Sequence, residues 1–294
     1  MEKNFKLSVA IATFNEEENI RTCIESIQGI YDELVVVDGS STDQTVKIAK
    51  SLGAKVYVID NPPIFHINKQ KAIEKTGGEW ILQLDADERV SQKLAKEIQF
   101  IVRAPEQEIE RYQQNLAHKE LFFRHQQLIE KRDGKIGLNH GEYVAFFIPR
   151  LNFFLGKYLR FGGVYPDGVI RLIKRQKAYL PAKNVHEQFI VKGKVGWLQN
   201  DLLHIADPSL KRYLMRNKRY VSLLATELKE QRVGKNIMQY INYMFVKPIW
   251  WFVLTQIRHK GILDGFQGII FSFFSALRYP RAYLQYLKSE NLCV

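Results

Sequence analysis

Two cysteines in 294 residues, Cys23 and Cys293, leave no disulfide framework to hold this chain together. No G-x-G-x-x-G segment occurs, which argues against a nicotinamide or flavin enzyme. Long hydrophobic runs are also missing. A spanning helix needs ~20 mostly apolar residues, yet 237–257 is interrupted by Gln239, Asn242, Lys247-Pro248 and Gln256. The run 262–277 carries Asp264 and Gln267 and is too short. Pro248 is expected to break the first run as a helix. Residues 1–6 are charged and lead directly into an apolar stretch, so no secretory leader is expected. Acids are scarce in one region: 211–294 hold 4 Asp/Glu against 14 Lys/Arg, whereas 1–102 hold 16 against 12.

The segment Trp80-Ile81-Leu82-Gln83-Leu84-Asp85-Ala86-Asp87-Glu88 reads as a buried strand that ends in three acids. Residues two apart on an extended backbone point the same way, so Asp85 and Asp87 can converge. Two close carboxylates repel unless something positive lies between them. A divalent cation bridging phosphate oxygens meets that need; a solvated acidic turn is the alternative for this segment alone. Upstream, Leu7–Ala12 and Leu34–Val37 are two more apolar strands, ending in Thr13-Phe14-Asn15-Glu16 and Asp38-Gly39-Ser40-Ser41-Thr42-Asp43. A helix is expected over 17–27, another over 44–52 capped by Asp43, and a strand over 55–59. Strands and helices alternating at this spacing imply right-handed crossovers and a parallel sheet. Ligands of such sheets bind beyond the carboxyl ends of the strands, where Thr13, Asp38 and Asp85 all fall.

These blocks, with Gly78-Glu79-Trp80 before the acids, resemble glycosyltransferase family 2 in order and spacing. The resemblance implies an α/β chain with the GT-A fold: a Rossmann-like, mostly parallel sheet flanked by helices, here with a helical C-terminal extension. It implies that Asp38 accepts a hydrogen bond from a nucleotide base, with Thr13, Phe14 and Glu16 lining the base and ribose pocket. Asp87 would hold Mn²⁺ or Mg²⁺ on the diphosphate, with Asp85 on the ribose or in the metal shell and Ala86 between them in the donor site. Lys69 would lie near the nucleotide or its phosphates; an exposed lysine at a helix start is the other reading.

Further on, Tyr165-Pro166-Asp167, the strand around Arg171-Leu172 and Val185-His186-Glu187 resemble, in that order, the lipopolysaccharide-core heptose β-1,4-glucosyltransferase subgroup. Inverting transfer requires a base for the acceptor hydroxyl. Glu187 is the candidate, beside His186, which is either directly involved or a structural imidazole; Asp167 is the competing base. Arg171 is read as neutralising the leaving diphosphate, or as a strand-borne salt bridge. His204 completes the metal shell, binds diphosphate, or is structural.

The expected division is a catalytic domain over 1–205 and a basic, aromatic-rich helical region over 206–294. The first comprises a nucleotide-sugar half (1–102), a helical insertion (103–142) and an acceptor half (143–205). The insertion shows helical spacing through Ile109, Tyr112, Leu116, Leu121 and Leu128 and is expected to be a solvated addition. Residues 240–286 hold 13 aromatics among basic residues. Such blocks describe an interfacial segment on an anionic leaflet; helices packed on each other or a dimer interface form the competing reading. The overall charge of +12 could suggest nucleic acid, but greasy blocks of this kind do not fit nucleic-acid modules. The expected partners are thus a nucleotide-sugar donor, a lipid-linked glycan acceptor and an anionic membrane surface, with no nucleic acid. The expected place is the cytoplasmic face of the membrane. Transfer to polyprenyl phosphate and a non-catalytic membrane-bound scaffold are the alternatives.

Overall fold

A computed structural model describes residues 6–181 and 188–290. Its contacts form two compact units. One comprises the described residues up to Arg150 and from Pro166 to His204, the other Leu151–Tyr165 and those from Ile205 onward.

In chain order the strands and helices are β1 Leu7–Thr13, α1 Ile20–Glu25, β2 Glu33–Asp38, α2 Thr45–Ser51, β3 Lys55–Val58, α3 His66–Glu74, β4 Trp80–Asp85, β5 Glu88–Val90 and α4 Gln92–Ile101. There follow α5 Glu106–Gln114, α6 Lys119–Asp133, β6 Tyr143–Phe154, β7 Lys157–Leu159, β8 Asp167–Lys174, β9 Ala178–Tyr179, β10 Ile190–Val191, β11 Lys194–Trp197 and β12 Leu202–Asp207. The rest is helical: α7 Leu210–Glu230, α8 Ile237–Ile241, α9 Lys247–Val253, α10 Phe266–Ala276 and α11 Arg278–Glu290.

The first unit is built on β3-β2-β1-β4, all parallel, as the alternating strand and helix pattern requires. β8 then runs antiparallel to β4, and β6 antiparallel to β8. Central strands β1, β2 and β4 are apolar on both faces, so Val9, Ile11, Val36, Leu82 and Leu84 are all within 0% exposure. Burying each such side chain contributes about 1.5–3 kcal/mol. The register pairs Thr13 with Asp38 and Ala12 with Asp85, so the three chain ends emerge on one edge. Asp38 and Asp85 flank β1, two strand spacings or ~10 Å apart.

At the opposite edge a buried carboxylate ties three segments together. Glu33 accepts from Ser8 Oγ (2.8 Å), the Gly77 N–H (2.7 Å) and Lys55 Nζ (2.7 Å). Burial alone raises this carboxyl, but the donors outweigh it and hold it below the ordinary glutamate value. Its stabilisation is therefore complete above the unfolded value of ~4.3 and fades as pH falls through the lower folded value. Glu33→Gln should cost about 1–3 kcal/mol near neutrality. Melting curves should show the gap to wild type closing on acidification; a constant gap would contradict the assignment.

The insertion differs from the sequence expectation. α5 and α6 are not a solvated addition: Ile109, Phe122 and Ile129 are buried against the sheet. Leu121 and Leu128, expected inward, are 41% and 61% exposed, and their successors Phe122 and Ile129 face in instead. The reason is aromatic packing. Trp197 is stacked between Phe122 and Phe147, each with ring centroids 4.7 Å away, which fixes the rotation of α6. Gly168 makes room for that indole, since a Cβ there would lie 2.2 Å from the Trp197 ring.

In the second unit α7 packs on α11 through Val221, Ala225 and Leu228 against Tyr283 and Tyr286. Residues 237–258 form one unbroken helical run, contrary to the break expected at Pro248. π-helical turns at Asn242–Val246 and Leu254–Arg258 punctuate it. Pro248 falls in the first turn after the wider π turn, where a missing N–H is tolerated. Among the described residues no helix is long and apolar enough to cross a membrane.

Candidate active site

Two loops at the carboxyl edge are locked by Asp38. Its carboxylate is fully buried and accepts from Thr13 Oγ1 (2.9 Å), Ser41 Oγ (2.6 Å) and the Ser41 N–H (2.8 Å). The Asn15 N–H in turn donates to Ser41 Oγ at 2.8 Å. Asn15 and Ser40 both take positive φ (54° and 63°), a strained backbone that the cross-loop bonds maintain. The arrangement leaves Phe14 45% exposed at the loop tip. Glu16 is half-buried and accepts from Asn19 Nδ2 at 2.8 Å. Asp38 thus braces the two loops, with Oδ2 accepting twice and Oδ1 once, so that one acceptor position on Oδ1 remains.

The acid turn after β4 rests on a buried charge cluster. Arg171, on β8, reaches across to β4: its Nη2 lies 2.6 Å from Asp85 Oδ2 and 2.8 Å from Glu88 Oε1. Its Nε donates to Glu88 Oε2 at 3.0 Å, and its Nη1 donates to Gln83. Glu88 is fully buried and also accepts the Asp85 N–H at 3.0 Å, closing the turn. Arg150, on β6, lies 3.5 Å from Glu88 and donates to Asp167 at 2.8 Å. Lys69 Nζ completes the set, 2.5 Å from Asp85 Oδ1.

Burial on its own would raise the Asp85 carboxyl, but Arg171 and Lys69 hold it well below the usual carboxylate range. Burial likewise drives the Lys69 ammonium below the usual lysine range, against the attraction of Asp85. Both Asp85 oxygens are thus engaged by cations, Oδ1 by Lys69 and Oδ2 by Arg171. A cavity of about 270 Å³ opens beside the cluster, lined by Lys69, Gln83, Asp85, Arg150 and Arg171 among others. Arg171 lines it with donors already committed to Glu88, Asp85 and Gln83. Lys69 is buried on α3, not exposed at a helix start.

Asp87 points elsewhere. β5 starts one residue later and pairs antiparallel with β12, in a register that sets Glu88 opposite His204. This brings His204 Nε2 to 3.4 Å from Asp87 Oδ2, with both side chains mostly buried. Two ligands of one cation, each ~2.1 Å from it, lie about 3 Å apart. At this spacing the Asp87 carboxylate suits a hard divalent cation, and the imidazole beside it favours Mn²⁺ over the strictly oxygen-bound Mg²⁺. No cluster of three or more His, Cys, Asp or Glu suited to a metal occurs among the described residues. These two side chains would supply only part of a divalent cation's shell.

Ala86 is buried between the two acids, its carbonyl accepting from Arg89 Nη1 at 2.6 Å. Asp167, the competing base, is held by Arg150. His186 and Glu187 lie outside the described residues. Sequence reasoning gave no role to Gln83, Glu88 or Arg150. A glutamine within an apolar strand was the one visible signal; the pairing of Glu88 with strands far along the chain left none.

The Glycosyl transferase family 2 profile matches residues 8–158. An uncharacterized glycosyltransferase of Rickettsia typhi is 30% identical over 98% of this chain and 90% of its own length. The lipopolysaccharide core biosynthesis glycosyltransferase LpsC of Rhizobium meliloti is 24% identical over 92% and 91% of the two chains. Glucosyl-3-phosphoglycerate synthase of Mycobacterium tuberculosis, solved with Mn²⁺, UDP and glucosyl-3-phosphoglycerate, aligns with 28% of this chain and 33% of that one, at 30% identity and TM-score 0.26.

Proposed function

This chain belongs to glycosyltransferase family 2, with the GT-A architecture, and on that footing we propose that it is an inverting, metal-dependent hexosyltransferase. The donor is a nucleoside-diphosphate sugar, most simply a UDP-hexose, and the acceptor a lipid-linked saccharide of envelope glycan or lipopolysaccharide synthesis. The name of the Rhizobium relative supports this acceptor class. The place of work is the cytoplasmic face of a membrane. The observation that carries the proposal is the Asp87–His204 pair beside the Lys69, Arg150 and Arg171 cluster at the carboxyl edge of a parallel sheet.

In this reading the base stacks against Phe14 over the loops that Asp38 locks. Asp87 and His204 would hold a divalent cation, which when bound would supply neutralising charge for the departing diphosphate. Lys69 and the cavity beside it face the phosphates and sugar, and Arg171 keeps the acid turn in shape. The acceptor oxygen attacks the anomeric carbon, the bond to the diphosphate breaks with its electron pair leaving on phosphate oxygen, and the proton passes to Glu187.

A thermal-shift panel of nucleotide sugars with and without Mn²⁺ tests the proposal. At a hundredfold excess over Kd the donor should stabilise the chain by about 2.7 kcal/mol. No shift with any nucleotide sugar in the presence of Mn²⁺ would sink it. Glu187→Gln should bind donor normally yet lose transfer; retained transfer would point to an acceptor that is already ionised.

A further inference from the structure

The helices of the second unit distribute polarity in reverse. Thr255, Gln256, Ser272 and Ser275 are buried; Thr255 Oγ1 donates to carbonyls of its own helix, and Gln256, Ser272 and Ser275 take part in bonds between helices. Gln256 Nε2 donates to Ser272 Oγ (2.6 Å) and to the Gly268 carbonyl (3.1 Å), and Trp251 Nε1 donates to Ser275 Oγ (3.0 Å). The contact there is so close that a Cβ on Gly268 would lie 2.2 Å from the Gly261 carbonyl oxygen. The outer face is apolar: Ile237 and Ile257 are each 74% exposed, Phe266 71%, Ile249 62%, Trp250 57% and Phe245 56%. A helix pair in water does the opposite. Small and polar side chains between helices, with apolar ones outside, describe helices surrounded by lipid.

Charge selects the occupant. Lys235, Arg258 and Lys260 are exposed at the ends of this face. Between residues 231 and 289 the only acid is Asp264. That carboxylate is buried, accepting the Arg160 and Phe161 N–H groups at 3.0 and 2.8 Å. A second copy docked here would meet like charge with no carboxylate to answer it, whereas an anionic leaflet supplies the complement.

We propose that the outer face of 237–273 is a monotopic membrane-docking surface, seating its Ile, Phe and Trp side chains among the acyl chains of an anionic leaflet while Lys235, Arg258 and Lys260 engage headgroup phosphates. The helices lie in the interface and do not cross it. This rests on the second unit alone and holds whatever sugar or acceptor the first unit takes.

Flotation of the full-length chain with vesicles tests the assignment. The chain should float with phosphatidylethanolamine containing about a quarter phosphatidylglycerol and only weakly with phosphatidylcholine, its tryptophan emission shifting to the blue. Ile249→Glu with Phe266→Glu should cut the bound fraction by at least about tenfold. Arg258→Glu with Lys260→Glu should weaken binding and remove most of its salt sensitivity. These side chains are exposed, so circular dichroism and nucleotide-sugar binding should match wild type, which separates failure here from failure of the transfer reading. Wild type left at the bottom of the gradient would overturn the proposal, as would equal flotation of the double glutamate variant. So would a stable dimer in sedimentation velocity that Ile249→Glu dissolves.

Discussion

Arg171→Ala is expected to destabilise the chain by about 3–5 kcal/mol, because it leaves the buried Glu88 carboxylate without its hydrogen-bonded cation. Glu88 is fully buried, and Arg171 meets it through Nε and Nη2 while also holding Asp85 and Gln83. Arg150 remains 3.5 Å from Glu88 but is already engaged with Asp167 at 2.8 Å, so it cannot take over. Arg171→Lys should recover only a minor part, since an ammonium cannot reproduce the planar fork. Urea denaturation measures the loss. A variant within about 0.5 kcal/mol of wild type, the range of an ordinary surface change, would show that the cluster is not what holds the acid turn.

Asp87→Asn should do the converse, sparing the fold and removing the chemistry. Its side chain is mostly buried, 3.4 Å from His204, but an amide of the same size fills the same space and no strand hydrogen bond depends on its charge. A neutral amide is a poor ligand for a hard cation, and loss of one electrostatic anchor on a departing group costs on the order of 10²–10³ in kcat. The expected result is an unchanged melting temperature without metal, a transfer rate lowered by that factor, and a Mn²⁺ response displaced to much higher concentration. Transfer that kept its rate and its metal response would remove Asp87 from the cation's shell.

Much of this was legible because the parallel strands are short and local. β1, β2 and β4 are continuous apolar runs broken by polar turns, so their parallel pairing and the edge carrying Thr13, Asp38 and Asp85 follow from spacing alone, while their order in the sheet does not. What could not be read were decisions made across the sheet. That Asp85 turns to Lys69 and Arg171 while Asp87 turns to His204 depends on partners brought in by α3, β8 and β12. The rotation of α6 was illegible for a similar reason: helical spacing admits both Leu121 and Phe122, and only the Trp197 stack decides between them. Pro248 misled because a proline in a helical run reads as an interruption, whereas a π turn just before it absorbs the ring.

The short antiparallel pairing of β5 with β12 has a consequence for how the cation grip comes into being. Only three residue pairs define it: Leu202 with Val90, Leu203 with Arg89 and His204 with Glu88. Side chains alternate along a strand, so a slip of one position would aim the imidazole at the wrong face and offer leucine in its stead. On the proposed site, His204 would meet Asp87 only when this later part of the chain pairs with the edge in the right phase. Half the grip is encoded beside the acids; the other half is a matter of alignment.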